Sequence, residues 1–233
     1  MVAGLHIDLP GIQTEIFSDG ITILFGPSAS GKTTLLRTLA GLLRPPKGVI
    51  KYDGLTWLDA DAGIFTEPQK RNIGFVFQDT ALFPHLSVES NITYGLFRKN
   101  KQERKALAGR LLSRFGIEHL RDKKATKISG GEMQKVAFAR ALAPSPAVML
   151  LDEPFSSLDI LVRKKMRKEL RNQFAGLNIP VIFVTHDREE AKFLGKYIIV
   201  LHERKLVQQG LIDDVLANPS IPELSEKICT CEQ

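Results

Sequence analysis

Gly26-Pro27-Ser28-Ala29-Ser30-Gly31-Lys32-Thr33 follows the apolar run Ile21–Phe25 and opens a helical pattern over 32–43. The stretch fits GxxxxGK[ST] in the strand-to-helix setting that this pattern requires. Glycines let such a loop curl until successive backbone N–H groups converge on phosphate oxygens, and the positive end of the following helix adds to the attraction. Lys32 is expected to reach the β- and γ-phosphates and Thr33 to ligate Mg2+, with Thr34 beside them in the phosphate-binding set.

Outward from this loop, short apolar runs recur at 21–25, 73–77, 147–151, 181–185 and 197–201. Continuous hydrophobicity over strand length marks strands buried on both faces, as in a parallel sheet covered by helices. Helical patterns lie between them at 32–43, 102–114, 132–142 and 161–177, so the chain reads as α/β. In the last of these, Leu161, Met166, Leu170, Phe174 and Leu177 are expected on one apolar face, and the basic remainder reads as a solvated face. Residues 82–143 lack a strong strand run and read as helices broken by Pro84, Gly95, Gly116 and Gly130-Gly131. The expected organisation is one domain, with 1–81 and 144–233 as the α/β core and 82–143 as a helical insertion.

The run 148–151 ends in Asp152 and Glu153, which places two carboxylates at the C-terminal edge of a buried strand, where open α/β sheets bind ligands. Asp152 is expected to hold the metal's shell, and Glu153 to accept a proton from water attacking a γ-phosphate. Ser129-Gly130-Gly131-Glu132 precedes a helical stretch, so its N–H groups form either a second anion site or a plain capping turn. Gln78 and His186 each follow a strand run, beside the phosphate loop in this arrangement.

The 233 residues are 43% hydrophobic and 25% charged, which excludes disorder and collagen-like sequence. A net charge of +6 points to anionic partners, whether nucleotide phosphates, a membrane face or nucleic acid. No run reaches the roughly 18 apolar residues of a membrane helix, and residues 1–10 carry no signal-peptide pattern. Cys229 and Cys231 read as tail residues of a protein in a reducing compartment.

Taken in order, these motifs resemble the nucleotide-binding subunit of ABC transporters: Walker A at 26–33, a Q-loop glutamine at Gln78, the signature from Ser129, Walker B ending at Asp152 before Glu153, a D-loop at Ser156-Ser157-Leu158-Asp159, and a switch histidine at His186. The likeness covers about residues 20–219. It implies a RecA-like core with an antiparallel β subdomain and a helical subdomain, and a head-to-tail homodimer around two Mg-ATP. In that dimer Ser129, Gly130 and Gly131 of one copy would meet the γ-phosphate held by Lys32 of the other, and Asp159 would cross the interface. Gln78 would touch Mg2+ and the attacking water, and His186 the γ-phosphate. The resemblance further implies an integral-membrane permease, an extracytoplasmic solute-binding protein and a place on the cytoplasmic face of the membrane, with no nucleic acid. Residues 66–96 look like ATPases of bacterial importers, and among these the Gly20-Ile21-Thr22 entry and Gly63-Ile64 ahead of the Q-loop look most similar to molybdate or tungstate systems, with sulfate, iron and polyamine importers close behind.

The chain departs from the family pattern in places. Ala29 stands where Gly is usual, Ile128 where Leu is, Glu132 where Gln is, and Lys135 where Arg is. The family often stacks adenine on an aromatic ring upstream of Walker A; ahead of residue 21 the only rings are His6 and Phe17, and neither is assigned that contact. An ABC ATPase acting on DNA would carry long coiled coils between its Walker motifs, which this chain lacks. A GTPase would carry Asn-Lys-x-Asp, whereas Asn100-Lys101-Gln102-Glu103 ends in Glu.

Overall fold

A strand whose five residues are all buried has no face to give to water, so it needs a layer on either side. The computed structural model describes residues 4–224, which leaves Cys229 and Cys231 outside the described residues, and its central sheet is built from such strands. A hairpin of β1 (Gly4–Leu9) and β2 (Ile12–Phe17) precedes β3 (Ile21–Phe25), which feeds α1 (Lys32–Leu39). Next come β4 (Val49–Tyr52), β5 (Leu55–Asp59), β6 (Ile64–Phe65) and β7 (Ile73–Val76). Helices α2 (Val88–Thr93), α3 (Lys101–Phe115) and α4 (Gly130–Leu142) then lead to β8 (Val148–Asp152). The remainder is α5 (Ile160–Phe174), β9 (Val181–Thr185), α6 (Arg188–Leu194), β10 (Tyr197–His202), β11 (Lys205–Leu211) and α7 (Ile212–Ala217).

The larger sheet has the order β11-β10-β3-β9-β8-β7, parallel except for β11. The smaller sheet, β2-β1-β4-β5-β6, is antiparallel throughout. Alternation along the buried strands divides the core in two. Ile23, Phe25, Met149, Leu151 and Phe183 face the helices α2 to α5, whereas Leu24, Val148, Leu150, Ile182 and Val184 pack with α1 and the smaller sheet. Helix α1 is thus held on both sides, through Leu35, Leu36 and Leu39.

Several boundaries differ from the sequence reading. Helix α1 stops at Leu39 because Gly41 turns the chain at φ 74° and Pro45-Pro46 follow. Strand β7 ends at Val76, so Phe77 is exposed. Helix α5 ends at Phe174, and Leu161 in its first turn is exposed rather than part of the apolar face; Val162 packs against the core in its place.

One fully buried cation ties the two sheets together. Arg71 donates to the carbonyls of Thr38 and Leu39 at 2.9 and 2.8 Å, of Thr66 at 2.8 Å and of Trp57 at 3.2 Å, and it lies over the Trp57 and Phe65 rings. Burial lowers its pKa to about 10, so it stays charged at neutral pH. The guanidinium therefore neutralises the negative end of α1.

Candidate functional site

Parallel strands bring their C-terminal ends to one edge of a sheet, and here register sets which residues meet there. Phe25 pairs with Thr185, so Gly26 and His186 each stand one residue past a paired position. Val76 pairs with Leu151, which puts Gln78 and Glu153 each two residues past theirs. Four adjacent strands, β3, β9, β8 and β7, thus deliver the phosphate loop, His186, the Asp152-Glu153 pair and Gln78 to the same edge.

The loop curls as its glycines require. A Cβ on Gly26, at φ 156°, would overlap the Leu201 carbonyl oxygen, and Gly31 caps α1 at φ 100°. Ala29 adopts φ 65°, the left-handed region where an L side chain costs about 1–2 kcal/mol. Alanine at this position thus holds the loop at an energetic cost that glycine would not carry. Lys32 is buried, and its Nζ donates to the carbonyls of Gly26 and Pro27, each at 2.8 Å. Burial lowers its pKa, opposed by the charges of Glu153 and Asp152.

Thr33 Oγ1 donates to Asp152 Oδ1 at 3.2 Å, linking loop to strand end. Burial raises the Asp152 pKa, the neighbouring Glu153 charge adds to the rise, and the Thr33 hydrogen bond opposes it. Glu153 sits at φ 42°, and its Oε2 lies 3.1 Å from Nδ1 of His186. Gln78 is exposed beyond β7. After it, Thr80 and Ala81 adopt φ 37° and 48°, and Arg140 of α4 donates to their carbonyls at 2.8 and 2.7 Å.

The turn at 129–132 forms a second group. Ser129 caps α4 in a box with Glu132, whose Oε2 accepts from the Ser129 N–H and hydroxyl, each at 2.7 Å. These bonds from Ser129 hold the Glu132 pKa down. Glutamate closes the box as glutamine would, and Lys135 pairs with Glu169 of α5 at 2.7 Å. A Cβ on Gly131 would lie 3.0 Å from Val162, and one on Gly130 3.6 Å from Leu158, so this turn packs on the start of α5. Asp159 caps that helix by accepting from the Leu161 and Val162 N–H groups at 3.1 and 3.0 Å.

Neither upstream ring reaches the loop. Phe17 packs on Tyr197 at 5.9 Å, and Tyr197 pairs with Thr22 near the other end of β3. His6 lies within β1 opposite Glu15 and Lys51. Two further groups border the site: Arg204, whose N–H donates to the Ser30 carbonyl at 3.1 Å, and Arg163, which the sequence reading put on the solvated face of α5 and which instead approaches Asp187 and Glu190 at 3.7 and 3.8 Å. Only their basic character was visible, with no motif to mark them.

The strand order and the loop at 26–33 define a P-loop α/β fold with an added antiparallel sheet and helices. A family model described as ABC transporter matches residues 9–156, and the chain belongs to that family. It is 39% identical over 222 residues to the molybdenum import ATP-binding protein ModC of Pseudomonas savastanoi, covering 94% of this chain and 61% of that one. It is 40% identical to the sulfate/thiosulfate import ATP-binding protein CysA of Nephroselmis olivacea, covering 92% of this chain and 61% of that one. The chain spans about three fifths of the length of these relatives. Among solved structures, CbiO1 of Clostridium perfringens, part of an ABC transporter complex, superposes with a TM-score of 0.81 at 28% identity, covering 93% of this chain and 91% of that one. A dimeric ATP-binding cassette in a post-hydrolysis state with ADP and phosphate superposes with a TM-score of 0.71 at 28% identity, covering 90% and 98%.

Proposed function

We propose that this chain is the ATP-hydrolysing subunit of an importer for a small inorganic oxyanion of the molybdate or tungstate class. The observation that carries the reading is the convergence of Gly26–Thr33, Gln78, Asp152, Glu153 and His186 on adjacent strand ends, with Thr33 bonded to Asp152 and His186 in contact with Glu153. The ModC relatives support the cargo class. CysA at comparable identity makes sulfate the second reading.

The loop 26–31 and Thr34 bind the triphosphate through backbone N–H groups and the start of α1. Lys32 Nζ exchanges its two carbonyl partners for β- and γ-phosphate oxygens. Mg2+ suits the hard oxygens of Thr33 and Asp152, since Asp152 is a buried carboxylate for which burial outweighs the help of the Thr33 hydroxyl and the Arg37 and Lys32 charges. Gln78 completes that set from the turn that follows β7. When bound, the ion supplies charge neutralisation at the phosphate oxygens. Glu153 takes the proton of the attacking water at its carboxylate, while His186 orients that carboxylate through Nδ1 and meets the γ-phosphate through its other edge.

A second copy completes each site. Ser129, Gly130 and Gly131 present the N-terminus of α4 to the partner's nucleotide, and Asp159 faces across the same interface, flanked by the exposed Ile160 and Leu161. Closure on ATP and reopening after hydrolysis pass to a membrane-embedded permease docked beside Gln78. The apolar cleft there, lined by Phe77, Phe83, Tyr94, Leu96 and Arg140, suits a permease segment. The permease receives its cargo from an extracytoplasmic binding protein. No described helix is long and apolar enough to cross a membrane, in keeping with a peripheral place on the cytoplasmic face.

Affinity purification of the tagged chain from native membranes in mild detergent, followed by mass spectrometry, tests the assignment. A multi-spanning permease is expected to co-purify. Recovery of the chain with nucleic acid or ribosomes and no membrane partner would overturn the transport reading.

A further inference from the structure

Glu153 and His186 leave different strands, and Glu153 is held at φ 42° immediately before a proline. Backbone in that conformation persists only where its surroundings over-determine it. One side chain joins the two turns. Arg163, in the first turn of α5, donates from Nη2 to the carbonyls of Ser156 and Leu158, each at 3.4 Å. Ser156 in turn donates to the Glu153 carbonyl, through N at 3.1 Å and Oγ at 2.9 Å. On its other side Arg163 lies 3.7 Å from Asp187 Oδ2 and 3.8 Å from Glu190 Oε1. Buried Glu190 accepts from Thr185 Oγ1 at 2.7 Å, and Thr185 Oγ1 accepts from the Asp187 N–H at 3.0 Å, so the residues on both sides of His186 are tied to this cluster. The circuit closes where His186 Nδ1 meets Glu153 Oε2 at 3.1 Å.

We propose that Arg163 is a positioning residue for hydrolysis, holding the turn that carries Glu153 and the turn that carries His186 at one separation. The inference rests on the reading of Glu153 as general base and His186 as its partner. A guanidinium suits the role because it addresses two carbonyls and two carboxylates at once, which a lysine ammonium on a flexible stem does not. Arg163 touches neither the loop 26–33 nor Asp152 among its described contacts, so its loss acts on the chemical step and leaves nucleotide affinity in place.

The test is ATP affinity and turnover for the unmodified chain, Arg163→Ala, Arg163→Lys, Glu153→Gln and the double variant Glu153→Gln with Arg163→Ala. A misplacement of order 1 Å costs up to about 100-fold, so Arg163→Ala is expected to lower kcat about 10- to 100-fold. ATP affinity and KM should stay within about threefold, and Arg163→Lys should recover part of kcat. In single-turnover incubations of the double variant, removing Arg163 should cost clearly less than in the unmodified chain, because the carboxylate it positions is already gone and only the placement of His186 is left to lose. Unchanged kcat in Arg163→Ala, or an undiminished further loss in the Glu153→Gln background, would overturn the inference. Should Arg163→Ala fail to fold by circular dichroism, Arg163→Lys carries the test, and a kcat equal to that of the unmodified chain would overturn it. Absence of ATP turnover in the unmodified chain would refute the hydrolase reading and this inference with it, an outcome distinct from an active chain indifferent to Arg163.

Discussion

Gly26→Ala isolates the close approach on which the phosphate loop depends. An alanine Cβ there would overlap the Leu201 carbonyl oxygen and come within 2.7 Å of Ser30 Oγ. Leu201 belongs to β10, which pairs with both β3 and β11, so the oxygen cannot retreat without breaking a ladder. Overpacking of this kind costs about 1–3 kcal/mol, and the positive φ adds about 1–2 kcal/mol. Gly54→Ala is the control: its φ of 78° is equally unsuited to a side chain, but nothing lies within 4 Å of the added carbon. For a domain of this size each kcal/mol lowers Tm by about 2–4 °C, so Gly26→Ala is expected to fall by about 4–20 °C and Gly54→Ala by about 2–8 °C. Thermal unfolding followed by circular dichroism reads both. Equal shifts in the two variants would refute the claim that β10 confines the loop.

Other perturbations follow from the same geometry. Ala29→Gly relieves a left-handed residue and is expected to stabilise by about 0.5–1 kcal/mol after the added chain entropy of glycine, measurable as a raised urea midpoint. Arg71→Met strands four carbonyls in the core and should cost about 4 kcal/mol or more in urea unfolding, with Arg71→Lys failing to restore it. Asp152 has its pKa raised by burial, so its ionised form weighs against the folded state above that raised pKa, and the penalty fades as pH falls through it. Asp152→Asn should therefore raise Tm of the nucleotide-free protein at neutral pH while abolishing the stabilisation that Mg-ATP gives, a pair of opposite shifts read in one thermal series.

Legibility followed how local each signal was. The strands Ile21–Phe25 and Val181–Thr185 could be read to the residue because four apolar side chains out of five, many of them β-branched, admit few alternatives over so short a run. The smaller sheet was expected only through family resemblance. Its strands are short, and β2 alternates buried and exposed residues in a pattern interrupted by polar Gln13 and Glu15, which a search for continuous apolar runs passes over. Helix ends were misjudged where a single glycine, Gly41 or Gly176, turns the chain at positive φ inside an otherwise helical pattern. The residues of the loop, the acidic pair and His186 were visible as motifs, but their assembly depends on strand order, which brings β7, β8, β9 and β3 together from distant parts of the chain. Arg163 and Arg71 were invisible for the same reason, since an arginine in sequence does not disclose whether it faces solvent or four carbonyls.

The most direct measurement is Mg-ATP binding and hydrolysis by the purified chain and by Glu153→Gln. A general base contributes about 10²- to 10⁴-fold, so the variant is expected to bind ATP as tightly as the unmodified chain and to turn it over at least about 100-fold more slowly. Equal turnover in the two proteins would contradict the assignment of Glu153 as the base.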